Sequence, residues 1–319
     1  MSHDRTGQLL SPDLLKELAQ RLQVGLKKLR GWGLAIPAFG RLDAAIRVLE
    51  RIAAAGAMPT DMSELRKMAY AIRDAEEFAL IADALLEPPK GDLRRDLERA
   101  AGGELAGTTI STRKAVQYQT QLWVAAAYAH AGVRVRPLAT GTVPTPDYEL
   151  DDATMEYGIE VKRPIKGLRP DKLISDSARK LQNPKYHGGC VVIDVSDAMP
   201  DEGLVVRSGI LEEENLGYDD FMARAELLER EVFDISARQI RPGRTKVFTL
   251  VTTARVFALD PDHPKYARAV RRVRPTFFWR GDAGTLRYHR ARMLFETFGK
   301  GLENMGHVEV SWRIVRRGP

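Results

Sequence analysis

Pro146-Asp147-Tyr148-Glu149-Leu150 and Tyr157-Gly158-Ile159-Glu160-Val161-Lys162 are two short runs separated by residues 151–156. Read as a hairpin whose loop is 151–156, Leu150 faces Tyr157. Counting back along both strands, Asp147 faces Glu160. Directly opposed residues in an antiparallel pair have Cβ atoms about 5 Å apart on one face of the sheet. Two carboxylates at that separation repel each other unless a cation lies between them, and a divalent metal with oxygen ligands would remove the conflict. Lys162 lies two residues after Glu160 and therefore shares its face. Its ammonium can offset the acids, orient a water or stabilise charge on a phosphate oxygen. Val161 points the other way into the core, leaving its carbonyl available to a metal. Gly158, opposite Glu149, is expected to leave room for a substrate backbone.

Outward from this hairpin the pattern is that of an α/β sheet. A helix is expected over about 112–131, then a strand at 133–137. Beyond the hairpin a helix over about 171–181 leads to the β-branched strand 190–195. Further strands are expected at 246–251 and 255–259. Residues 11 to about 105 read as helical. Ser11-Pro12-Asp13 is a helix start, with a capping serine and a proline in the first turn, and leucines follow at helical spacing. Gly102, Gly103 and Gly107 suggest a boundary. The expected organisation is a helical region over 1–105, suited to partner binding or self-association, and a second domain over 106–319.

The Pro-Asp element at Asp147, followed by Glu160-Val161-Lys162, resembles the PD-(D/E)XK nuclease superfamily, the fold shared by many restriction endonucleases and Holliday-junction resolvases. The likeness covers roughly 112–195, where helix, strand, hairpin, helix and strand follow in the family's order. It implies a restriction-endonuclease-like mixed central sheet flanked by helices, here preceded by the all-helical N-terminal region. It also implies that Asp147 and Glu160, with the Val161 carbonyl, hold Mg2+ or Mn2+, and that Lys162 assists attack on a phosphodiester. DNA is the expected substrate before RNA, in host defence or DNA repair, and an inactive nuclease-fold module that binds nucleic acid or protein is the alternative. Many relatives carry a glutamate on the first core helix where this chain has Gln121. A neutral amide can hold water but adds no charge. Some relatives use a glutamine from the helix after the hairpin, and Gln182 is the counterpart here.

Arg163, Lys166, Arg169 and Lys172 directly follow the proposed site and are expected to meet substrate phosphates. A second cluster, Arg268, Arg271 and Arg272, would share one side of a helix. The following Phe277-Phe278-Trp279-Arg280 reads as a buried strand before a base-stacking platform. The net charge of +6 favours an anionic partner only weakly. One cysteine, Cys190, excludes an internal disulfide and argues against a cysteine-based zinc site; it reads as a small core residue. The histidines form no metal-ligand pair, and neither a phosphate-binding loop nor a nucleophile elbow occurs. No run approaches the roughly 18 apolar residues of a membrane span, so no membrane partner is expected and the cytoplasm is the expected location. A homodimer would fit cleavage of both strands.

Overall fold

A computed structural model describes residues 8–9, 11–59, 61–107, 109–138, 145–151, 156–164, 170–182, 185–198, 204–206, 227, 230–231, 234, 247–260, 268–280, 283–305, 309–310 and 313–317. The protein is mixed α/β. Its first strand is the short β1 (Gln8–Leu9). Helix α1 (Pro12–Gly31) starts where the sequence places it: the Ser11 side chain accepts from the Leu14 amide at 3.1 Å. Its leucines at 15, 18, 22, 26 and 29 are buried, each worth roughly 1.5–3 kcal/mol of transfer from water. They pack against α2 (Arg41–Ala55) and α3 (Met62–Ala84). The short α4 (Gly91–Ala100) follows and packs on α5 (Ile110–His130).

The glycine-rich segment after α4 is a turn rather than a break in packing. One apolar core runs from Leu15 in α1 through Phe78 in α3 and Trp123 in α5 to the central strands. Buried Arg41 of α2 clips the turn in place, donating to the carbonyls of Ala100 and Gly102 at 2.5 and 3.0 Å. It also reaches Gln119 of α5 at 2.6 Å.

The strands β2 (Arg134–Pro137), β3 (Tyr148–Asp151) and β4 (Glu156–Lys162) form an antiparallel meander. Helix α6 (Pro170–Leu181) then crosses over to β5 (Gly188–Asp194), which pairs parallel to β4. A helical crossover is what a parallel neighbour requires. After a single 3-10 turn (Ser196–Ala198), β6 (Leu204–Val206) and β7 (Val247–Asp260) are parallel to each other. β8 (Arg268–Arg280) runs antiparallel to β7. Helix α7 (Leu286–Asn304), β9 (Glu309–Val310) and β10 (Arg313–Arg317) complete the described chain. The central order is β1-β8-β7-β5-β4-β3-β2, with β6, β9 and β10 added at its sides, ten strands in all among the described residues.

Three expectations change. The two strands anticipated at 246–251 and 255–259 are one strand, β7. The arginine cluster at 268–274 lies on β8 and not on a helix. Helix α7 has no counterpart in the sequence reading. Its aromatic residues pack into the core, with Phe295 stacked on Phe277 of β8 at 5.3 Å and Phe298 edge-on to Trp123 at 6.1 Å. Phe277 is fully buried, as a core strand residue should be. Cys190 is buried on β5, and burial pushes its thiol well up from the ordinary value. Among the described residues no helix is long and apolar enough to cross a membrane.

Candidate metal and phosphoryl-transfer site

The hairpin has the register read from the sequence. Leu150 pairs with Tyr157 and Tyr148 with Ile159, which carries Asp147 to the position beside Glu160. The strands extend one residue further than expected at the turn, pairing Asp151 with Glu156. Asp147 itself lies just before β3 and is tied to the opposite strand: its Oδ2 accepts the Val161 amide at 2.8 Å. Glu160 is fully buried. Its Oε1 takes the Lys162 ammonium from its own strand and the Lys180 ammonium, at 2.7 Å, from α6. Lys180 lies 3.9 Å from Asp147 Oδ1. The other carboxylate oxygen, Glu160 Oε2, is buried without a hydrogen-bond partner.

Closeness and burial together shape the titration of this group. Burial, and then the neighbouring Glu160 charge, raise Asp147 to about 7, with Lys162, Lys180 and the Val161 amide offsetting part of the rise. Burial works to lower Lys162, but Glu160 and Asp147 outweigh it and hold the ammonium above its ordinary value.

Small residues let α6 deliver Lys180. A Cβ on Gly158 would come 2.5 Å from Leu181 Cδ2 and 3.0 Å from Pro146 Cγ. A Cβ on neighbouring Gly189 would come 2.6 Å from the same leucine atom and 2.2 Å from the Gly158 carbonyl oxygen. Gly158 is thus needed for the close seat of α6 and of Pro146, not for a substrate backbone. Lys180 is absent from the sequence reading. The signal for it was a charge on the buried stripe of α6, three residues after Ser177 and next to Leu181.

The remaining expected residues divide. Val161 is buried in β4, paired with Val192. Gln121 lines the same cleft as Asp147. Lys172 is exposed on the first turn of α6. Gln182 is exposed just past the helix end, and Lys180 takes the inward place anticipated for it. Lys166 and Arg169 lie outside the described residues. Arg163 departs most from expectation. Only 4% exposed, it donates from Nε and Nη2 to the two Asp197 oxygens at 2.7 Å and from Nη1 to Thr120 Oγ1 at 2.8 Å. Its donors are spent inside the protein, so it is not placed to meet a phosphate. Glu149, on the Asp147 face, is buried and paired with Arg136 at 2.6 Å and Lys185 at 2.5 Å.

Among the described residues, no three His, Cys, Asp or Glu side chains cluster as a metal site. Magnesium needs no such cage: it keeps several waters and is commonly held by one or two carboxylates. The unpartnered Glu160 Oε2 beside Asp147 is the kind of oxygen a small hard cation would satisfy. Comparison of the chain with protein-family models, curated proteins and solved structures gives no match.

Proposed function

We propose that this chain is a metal-dependent nuclease of the PD-(D/E)XK kind, hydrolysing phosphodiester bonds in nucleic acid, with DNA as the first substrate. The reading is carried by one observation. Asp147, Glu160 and Lys162 converge from adjacent strands, and a buried carboxylate oxygen of Glu160 has no donor. The order α5, β2, β3, β4, α6, β5 supports a restriction-endonuclease-like core.

Asp147 and Glu160, with the Val161 carbonyl, would hold Mg2+ or Mn2+. Such a cation supplies Lewis-acid polarisation of the phosphate and a lowered pKa for the attacking water. Lys162, kept protonated by both acids, orients that water or stabilises charge developing on a phosphate oxygen. Gln121 can hold a water on the Asp147 side of the cleft. Lys180 neutralises Glu160 and keeps the acid pair compatible with burial.

The test is incubation with plasmid, linear duplex, single strands and RNA, in magnesium, manganese or chelator. Metal-dependent cleavage is expected, reduced about 100-fold or more by Asp147→Ala and by Lys162→Ala. Cleavage that survives both substitutions would put the site elsewhere. A second reading, an inactive binding module of the same fold, draws on Gln121 in place of an acid and on the two amines already seated on Glu160 Oε1. Binding of nucleic acid with no cleavage of any substrate would select it.

A further inference from the structure

Asp147 does not face open solvent alone. It lines a cleft of about 570 Å3 between α4 and α5. The walls carry Arg95 and Arg99 from α4, and Arg113 and Lys114 from α5. Arg95 and Arg99 have acidic neighbours on their own helix, Asp92 and Asp96. Arg113 and Lys114 are exposed and form no salt bridge with a described residue. Lys114 therefore offers cationic charge on the α5 wall, while the Arg113 charge is shared with Asp197. Between these charges stands the half-buried ring of Tyr118, braced by Arg99: the guanidinium lies 5.2 Å from the ring centroid and Nη1 donates to the phenol oxygen at 3.1 Å. Ile110, 74% exposed, adds an apolar surface, and Gln121 adds an amide to the lining.

Cations with an aromatic platform and amides between them match the chemistry of an unpaired nucleotide. The phosphates meet Arg and Lys, and the base stacks on the ring. The volume agrees, since sites for single small ligands span about 300–1,000 Å3. A base-paired duplex is too broad to enter.

We infer that the α4–α5 cleft is a subsite for an unpaired nucleotide next to the cleaved phosphate, so that the protein acts on nucleic acid bearing a single-stranded segment. This rests on the nuclease reading of the Asp147 site. It also gives the N-terminal helical region a task, because α4 supplies one wall.

The test is fluorescence anisotropy in chelator, where nothing is cut. The probes are a labelled single-stranded DNA oligonucleotide, the matching blunt duplex and the same duplex with a single-stranded tail. The full chain is expected to bind the single strand and the tailed duplex at least ~5-fold tighter than the blunt duplex, and Tyr118→Ala should remove about 10-fold from the first two only. Tyr118→Phe keeps the ring but not the phenol and should bind like the unaltered chain, which keeps the test usable if the alanine variant folds poorly. Replacing both Arg113 and Lys114 by Ala should lower the salt slope of single-strand binding by about 1.4. Blunt duplex bound as tightly as tailed, or affinity indifferent to Tyr118→Ala, would overturn the subsite. So would failure to bind any of the probes. A parallel cleavage assay in magnesium separates the two claims. Cleavage with binding indifferent to Tyr118→Ala overturns the subsite alone. The expected binding pattern without cleavage upholds the cleft as an unpaired-nucleotide site but removes the nuclease reading, and with it the place beside a cleaved phosphate.

Discussion

Lys162 and Arg163 are consecutive residues that leave β4 on opposite faces, and their surroundings differ in one respect. Around Arg163 the ionic cluster is closed. The guanidinium meets both oxygens of Asp197 and the Thr120 hydroxyl, with Asp194 3.6 Å away. Around Lys162 the cluster is open. Two carboxylates share two amines, and Glu160 Oε2 is left with no donor in a fully buried position. Buried polar atoms are nearly always paired, so a closed cluster is scaffold, whereas an open one leaves binding capacity for something else.

Substitution should break this comparison unevenly. Arg163→Met strips the partner from Asp197 and Asp194 and should cost about 3–5 kcal/mol, because it leaves buried charge uncompensated. Glu160→Gln removes an acid whose second oxygen had no partner. In chelator it should cost less than Arg163→Met, because relief of the repulsion between Glu160 and Asp147 offsets part of the loss of its two ammonium contacts. Urea unfolding of the two variants decides the matter, and equal losses would show that both clusters are scaffold. Magnesium sharpens the same contrast. Millimolar Mg2+ should raise the unfolding midpoint of the unaltered chain and leave Glu160→Gln where it was, because a ligand stabilises only the state that binds it.

Gly158→Ala probes how the open cluster is assembled. The added methyl meets Leu181 and Pro146 at once, and overpacking of this kind typically costs about 1–3 kcal/mol. It should also push the C-terminal turn of α6 off the sheet and loosen Lys180 from Glu160. Hydrogen exchange over Pro170–Leu181 should therefore rise with the loss of stability. An unchanged exchange pattern would mean that α6 is held by other contacts.

Much of this arrangement is visible in the sequence, for physical reasons that can be named. The start of α1 is legible because capping is local: Ser11 accepts an amide three residues on. The Thr109 cap of α5 has no counterpart in the sequence reading, and that helix begins two residues earlier than expected. The hairpin register is legible because side chains alternate with period two and a pairing once fixed propagates. What escaped depended on tertiary partners. Buried Thr252 and Thr253 interrupt the apolar run that would otherwise read as one strand, β7. The spacing of Arg268, Arg271 and Arg272 fits a helix, yet pairing with β7 holds them in a strand. Arg163 reads as a phosphate ligand by charge, although strand alternation already placed it on the buried side with Val161. Lys180 is distant in sequence from the acids, and only the seat of α6 on Gly158 and Gly189 brings it there.

A pH series separates the clusters by proton. Asp147 is raised to about 7 by burial and by Glu160, with Lys162 and Lys180 facing it from β4 and α6, against about 3.9 in an unfolded chain. A carboxyl raised on folding binds its proton more tightly in the folded state. Its favourable contribution is therefore full below about pH 4 and is lost as pH rises through about 7. In chelator, the stability of the unaltered chain minus that of Asp147→Asn should accordingly fall as pH is raised across this window. In the Arg163 cluster burial raises Asp194 in the same direction, whereas Asp197 responds with the opposite sign. Burial alone would raise that carboxyl, but Arg163 holds it below its ordinary value, so its contribution is kept at neutral pH and lost only in acid. A difference between the unaltered chain and Asp147→Asn that stays flat from pH 4 to 8 would show that Asp147 titrates like an exposed carboxylate. The open cluster would then hold no reserve for a cation to displace.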